Sequence, residues 1–389
     1  MSLHYQFRTA AHIVAGQHSI QKLGDQLKTV KADIKSILIV TQPSIIKLGT
    51  IGEIQSQLSK LGIHSDVCTD IKPEPTAANI EEVFAKLRDQ QYDVLIGIGG
   101  GSVLDATKIL SVLYTNSKSI EELLGTDMVE KTGIPTVLIP STSGTGAEVT
   151  PNAIVTLPEQ ELKVGIVSPH MLPRLVILDP VITLGLPKDI TAATGMDAFT
   201  HSLESFISNK ANPISDMFAL ESIRLISSSI VEAYENGTSS IEARERMLLG
   251  SAYGGMALTA AGTAAVHALA YPLGGKYHIP HGVANSMLLP HVMEFNMDAI
   301  SERLSLIAAP MGMETANLTT EQAARRVVDQ IREWTRLLNI PQDLKAYGIT
   351  SEDIAGLAHS ASKVTRLLDN NPKTLSLRDM EKIYLTLID

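Results

Sequence analysis

Four residues between positions 197 and 281 have side chains able to ligate one metal ion. Asp197 and His201 lie in GMDAFTHSLE. If this segment is helical, four residues make about one turn, so carboxylate and imidazole project from one face and can clasp one cation. His267 and His281 lie in HALAYPLGGKYHIPH, where Pro272, Gly274, Gly275 and Pro280 interrupt a long helix. The spacing predicts a helix ending near His267 and a loop that delivers His281. One carboxylate with three imidazoles is a borderline ligand field that suits Fe(II) or Zn(II), and suits Ca(II) or Mg(II) poorly.

A second cluster offers anion chemistry. Gly97, Gly99, Gly100 and Gly101 follow the apolar run VLI and precede SVLDATKIL, which reads as a helix. Glycines let a backbone approach a pyrophosphate, and unpaired N–H groups at a helix start attract its charge. Ser102 stands at the third glycine position of GxGxxG, and a glycine turn by itself can merely close a strand-to-helix corner. PSTSGTGAEVT adds hydroxyls at Ser141, Thr142, Ser143 and Thr145, able to hold a phosphate or an amide.

Both metal-ligand segments, together with GIGGGSVLDATK (97–108), PSTSGTGAEVT (140–150) and KVGIVSPHMLPRLVILDP (163–180), resemble the iron-dependent (group III) alcohol dehydrogenase family along nearly the whole chain. The resemblance implies the dehydroquinate synthase-like, or iron-containing alcohol dehydrogenase, fold. It also implies an NAD or NADP cofactor, with phosphates cradled by Gly99, Gly100, Gly101, Ser102 and Asp105, and with Thr142, Thr145 and Lys163 on the cofactor side. Lys108 follows one turn into the helix, where a lysine commonly faces solvent.

Three positions depart from the family pattern. Gln42 stands where many relatives have an Asp that would bind the adenosine ribose and repel a 2′-phosphate, so NADP(H) is expected to be tolerated or even preferred. Glu74 stands where relatives often have Asn. Tyr271 replaces a histidine implicated in proton relay, which leaves Tyr271 itself or His278 as the relay. The implied chemistry is hydride transfer between nicotinamide and an alcohol or carbonyl in a cleft between two domains. A homodimer is expected, joined through the β segment around Tyr5–Val14.

The elements that must position these groups follow from pattern. SILIVT (36–41), HSDVCT (64–69), YDVLIGIGG (92–100), IPTVLIP (134–140) and RLVILDP (174–180) read as strands. Residues 44–62 and 76–91 have helical periodicity, starting at Ser44 and Thr76. Such alternation predicts an α/β domain with a parallel sheet over residues 1–185. From about Pro187 amphipathic helices take over, among them 214–236, 241–262, 323–339 and the tail 376–389, giving an all-α metal-binding domain over 186–389.

Composition limits the alternatives. The chain of 389 residues is 44% hydrophobic and carries a formal charge of −10. No Lys or Arg run could neutralise phosphates, which speaks against nucleic acid or an anionic membrane. Cys68 is the single cysteine, so no intramolecular disulfide forms and a reducing, cytoplasmic setting fits. The N-terminus does not read as a secretory signal. A maleylacetate reductase-like enzyme shares the fold but need not keep the four ligands. A dehydroquinate synthase-like lyase combines NAD with a metal but fits GMDAFTH less well, and a non-catalytic binding protein would leave complete motifs idle.

Overall fold

A computed structural model describes residues 4–160 and 162–388, so Asp389, the end of the tail read as a helix, lies outside the described residues. The chain divides into two compact units. Arg8–Thr142 and Gly146–Gly185 form the first; the residues from Leu186 onward, Ser143–Thr145 and those up to Phe7 form the second.

Among the described residues the first unit has nine strands: β1 (Ile13–Ala15), β2 (Ser36–Val40), β3 (His64–Cys68), β4 (Val94–Gly99), β5 (Gly125–Thr126), β6 (Thr136–Pro140), β7 (Asn152–Leu157), β8 (Leu162–Val167) and β9 (Leu175–Leu178). Six pair in the order β1-β9-β6-β4-β2-β3, all parallel. The helices are α1 (Leu23–Val30), α2 (Pro43–Lys47), α3 (Thr50–Lys60), α4 (Ala77–Leu87), α5 (Gly101–Leu113) and α6 (Ile120–Leu123). Alternate strand residues point to opposite faces. Ile37, Ile39, Ile96 and Ile98 join one buried cluster, and Leu38, Val40 and Leu95 join the other. Both faces are covered, which is why these strands read as continuous apolar runs. The winding reverses between β2 and β4, and ligands bind at the carboxyl ends of strands at such a switch point. Gln42 and the glycine turn follow those two ends.

Several expectations change here. The helix foreseen over 44–62 splits at Gly49, whose φ of 80° suits glycine, and it starts with Pro43 in its first turn and Gln42 as N-cap. Thr76 does cap α4, accepting from the Asn79 N–H at 3.0 Å. A β7–β8 antiparallel hairpin, pairing Asn152 with Val167 through Leu157 with Leu162, was absent from the strand pattern. It belongs to a separate sheet, β5-β8-β7, in which β7 alternates buried and half-buried residues. The N-terminal β segment is short, since only Ile13–Ala15 is strand, at the sheet edge.

Lys108 is not a surface lysine. It is fully buried, and its ammonium donates to the Ala147 carbonyl at 2.8 Å and to the Asn152 carbonyl, and pairs with Asp105 at 2.9 Å. A buried charge is tolerated only when paired and hydrogen-bonded in this way. Asp105 also accepts from the Ile154 N–H at 3.0 Å, so this ion pair staples α5 to β7.

Among the described residues, the α-helices of the second unit are α7 (Lys188–Ile207), α8 (Pro213–Ser227), α9 (Ile230–Asn236), α10 (Ile241–Ala261), α11 (Ala265–Tyr277), α12 (His281–Ala308), α13 (Thr320–Leu337), α14 (Ile354–Ser362), α15 (Thr365–Leu368) and α16 (Leu377–Leu385). The single helix foreseen over 214–236 breaks at Ser228 and Ser229. The largest correction is α11, which starts just before His267 and runs on through Pro272, Gly274 and Gly275 to Tyr277. Proline takes a donor from the Ala268 carbonyl. The helix persists because it is buried along most of its length, and Tyr384 Oη donates to the neighbouring Leu269 carbonyl at 2.6 Å. Tertiary packing outweighs local breaking signals here. Among the described residues no single helix is long and apolar enough to cross a membrane.

Glu148 is buried in the first unit, and its Oε1 finds no hydrogen-bond partner among the described residues. Burial lifts its carboxyl from 4.5 to about 7, with Lys108 pulling it back only in part. A raised carboxyl keeps its proton in the folded state after the unfolded chain has lost it. Stability therefore falls as pH rises from about 4.5 to about 7 and is flat above. Glu148→Gln is expected to remove that slope, so its melting temperature gains more over the parent at pH 8 than at pH 5, by up to about 3 kcal/mol in stability. Equal effects at the two pH values in parallel thermal melts would contradict this.

Candidate functional site

Three helices bring the four foreseen ligands together. Asp197 and His201 lie one turn apart on α7, His267 stands in the first turn of α11, and His281 opens α12. One ligand atom from each lies within 4.8 Å of every other. Asp197 Oδ1 is 3.9 Å from His201 Nε2, 3.8 Å from His267 Nε2 and 3.7 Å from His281 Nε2. The approach of α12 to α7 depends on Gly282, where a Cβ would stand 2.1 Å from the Ala193 carbonyl oxygen.

The backs of two imidazoles are already engaged. His201 Nδ1 meets the Gly144 carbonyl at 3.3 Å, and His267 Nδ1 meets Glu204 Oε2 at 2.5 Å. A carbonyl or carboxylate accepts from Nδ1–H, which leaves Nε2 with its lone pair facing inward. Burial keeps His201 below the ordinary imidazole range, with His267 adding to the effect, so it stays in the neutral form that ligates a metal. Burial would raise the Asp197 carboxyl, but His201, His281, His267 and the Asn285 amide outweigh it and hold the group ionised, below its usual range. The donor set and its spacing fit Fe(II) or Zn(II).

Two residues escaped the sequence reading. Glu204 is fully buried and accepts the backbone N–H groups of Ala264 at 3.0 Å and Val266 at 2.6 Å as well as His267. One carboxylate from α7 thus caps α11 and fixes the imidazole that α11 carries. Its signal was present, since Glu204 stands three residues after His201 and seven after Asp197, on the same helical face. Asn285, one turn after His281, donates to Asp197 Oδ1 at 2.7 Å.

The two relay candidates are placed differently. Tyr271 is buried, its ring centroid 6.1 Å from that of His281. His278 is exposed in the left-handed cap of α11, at φ 56°.

On the sheet unit, Gly99 ends β4, Gly100 caps α5, and Gly101 and Ser102 form its first turn. A Cβ at Gly99 would stand 2.8 Å from Val103, so this corner needs glycine. Gly100 faces Thr142, where a Cβ would find ordinary contact at 3.6 Å. Asp105 is spent on Lys108 and the Ile154 N–H. Gln42 is half-buried, with Nε2 donating to Ser44 Oγ at 2.8 Å. Lys163 is paired with Glu74. Ser143–Thr145 belong to the helical unit, where a Cβ at Gly144 would stand 2.7 Å from Thr194 Cβ. This tight contact with α7 sets the Gly144 carbonyl against His201.

Residues 10–180 match the family model described as iron-containing alcohol dehydrogenase, and residues 191–388 match that of the Fe-containing alcohol dehydrogenase family, C-terminal. The chain is 37% identical to long-chain-alcohol dehydrogenase 1 of Geobacillus thermodenitrificans (strain NG80-2), over 97% of this chain and 95% of that one. It is 31% identical to the NAD-dependent methanol dehydrogenase of Bacillus methanolicus, over 95% and 96%. A crystal structure of a 1,3-propanediol oxidoreductase superposes with a TM-score of 0.94 at 32% identity, covering 99% of this chain and 100% of that one.

Glu204→Gln puts an amide donor where two backbone N–H groups and His267 need an acceptor. Metal affinity in chelator competition is expected to fall about 10- to 100-fold, with stability falling by about 1–3 kcal/mol. Unchanged affinity would show that His267 does not depend on this carboxylate.

Proposed function

The chain belongs to the iron-containing alcohol dehydrogenase family, and on that premise we propose that Asp197, His201, His267 and His281 hold the divalent metal of a nicotinamide-dependent alcohol dehydrogenase and aldehyde reductase. One observation carries the assignment: a single carboxylate oxygen and three imidazole nitrogens converge within 4.8 Å. When bound, the metal supplies Lewis-acid polarisation of an alcohol or carbonyl oxygen, and the nicotinamide accepts or supplies the hydride. The chain does the rest. Glu204 and the Gly144 carbonyl orient His267 and His201, and Asn285 steadies Asp197. Gly99, Gly100, Gly101 and Ser102 present backbone N–H groups to the dinucleotide phosphates at the start of α5, with Thr142, Thr145 and Lys163 on the cofactor side. Asp105 supports this turn through its pair with Lys108.

Tyr271 is the group we assign to proton relay, since its buried ring lies beside His281 whereas His278 is exposed. Tyr271→Phe is expected to lower kcat and shift the pH–rate profile with little change in KM, and His278→Ala to leave the profile unchanged. The opposite pattern would move the role to His278. Gln42 places an amide where a carboxylate would repel a 2′-phosphate, so NADPH is accepted alongside NADH. Strict NADH use in steady-state kinetics would remove that reading. The substrate is read as a small alcohol or aldehyde. The protein is read as a cytoplasmic homodimer, supported by β1 as an edge strand and by one free cysteine, Cys68. Sedimentation at a monomer mass would refute the dimer.

The central test is metal removal. Chelated protein is expected to lose aldehyde-dependent oxidation of reduced cofactor and to regain it with Fe(II) or Zn(II), and His201→Ala to lower kcat/KM at least about 100-fold. Full activity in metal-free protein would favour the maleylacetate reductase-like alternative.

A further inference from the structure

Two residues assigned to the cofactor, Ser102 and Lys163, meet at a third that the assignment leaves unused. Glu74 lies between Pro73 and Pro75 with φ 50°, a left-handed conformation that glycine and asparagine adopt more readily than glutamate. Its N–H donates to Ser102 Oγ at 3.2 Å, its carbonyl accepts from Thr156 Oγ1 at 3.4 Å, and the adjacent Pro75 carbonyl accepts the Thr156 N–H at 3.0 Å. The loop is thereby pinned to the first turn of α5 and to β7. Glu74 Oε1 lies 2.7 Å from Lys163 Nζ. The ammonium is the more enclosed partner, its side chain 8% exposed against 34% for the carboxylate.

This arrangement has two chemical consequences. Ser102 spends a lone pair on the Glu74 N–H, which leaves its hydroxyl proton free to donate elsewhere. Lys163 spends much of its field on Glu74, so a phosphate arriving at the start of α5 meets a neutralised pair instead of a bare cation. We propose that Glu74 is a positioning residue that fixes Lys163 and offsets its charge, so that the dinucleotide is held less tightly and leaves sooner than the glycine turn and an unpaired lysine would allow. The inference rests on the cofactor assignment of the glycine turn.

NADH binding to the metal-loaded protein, followed by fluorescence titration, tests it. Glu74→Gln removes the charge. Glu74→Asn removes it too and suits the left-handed backbone, which guards against a misfolded loop. Both are expected to lower the NADH Kd about fivefold and to steepen its dependence on salt. In a Lys163→Met background Glu74→Asn should no longer change the Kd. Variants that bind NADH no better than the parent, or that tighten it equally without Lys163, overturn the inference. Gly100→Val, whose Cβ would meet only ordinary contact at Thr142, separates the two levels. If it leaves the Kd unchanged, the glycine-turn assignment fails and the inference with it. If it weakens binding while the Glu74 variants change nothing, only the role of Glu74 is wrong.

Discussion

A carboxylate and three imidazoles are packed together inside a helical core, and the rest of that unit is arranged to make this tolerable. Burying Asp197 would ordinarily drive it toward protonation, and burying His201 already favours the neutral ring. The structure resolves the tension by giving the buried polar groups partners. Glu204 and the Gly144 carbonyl engage the outer nitrogens of two imidazoles, and the Asn285 amide donates to Asp197 and lies 3.2 Å from the inner nitrogens of His267 and His281. Glu204 concentrates three of these contacts, because it also terminates the N–H groups that open α11. Losing it would disturb the helix start and the imidazole together, so helix capping and ligand orientation are one interaction.

The same economy governs the sheet unit. Lys108, at a position where a lysine commonly faces solvent, is enclosed and ties α5 to the β7–β8 hairpin through Asp105 and two backbone carbonyls. The start of α5, where the phosphates are assigned, is therefore held by a buried ion pair one turn further in. Such pairs contribute geometry more reliably than stability. Glu148, buried nearby at the cost of an elevated carboxyl, belongs to the same polar layer.

Four strands of the large sheet were legible because both of its faces are covered, which imposes runs rich in buried Val, Ile and Leu on β2, β4, β6 and β9, whereas β3, HSDVC, lies at the sheet edge. The hairpin was not legible, because its place is set by contacts remote in sequence: the Pro75 carbonyl accepts the Thr156 N–H and Asp105 accepts that of Ile154. Pro272, Gly274 and Gly275 misled the reading of α11 in the opposite sense, since local breaking signals count only where packing does not override them.

By itself the sequence determined the ligand types, the one-turn spacing of Asp197 and His201, the glycine corner after β4 and the division into a sheet half and a helical half. Each of these is local: residue chemistry, helical period and apolar pattern are written within a dozen residues. Tertiary structure alone decided which atoms face one another across α7, α11 and α12, that Glu204 and Asn285 complete the ligand cluster, that Tyr271 is buried beside His281 while His278 is exposed, and that Glu74 meets Lys163. Most of those contacts join residues far apart in the chain, up to 88 positions for Asn285 with Asp197 and 89 for Glu74 with Lys163. Their geometry depends on how whole elements pack, and no short window of sequence carries that.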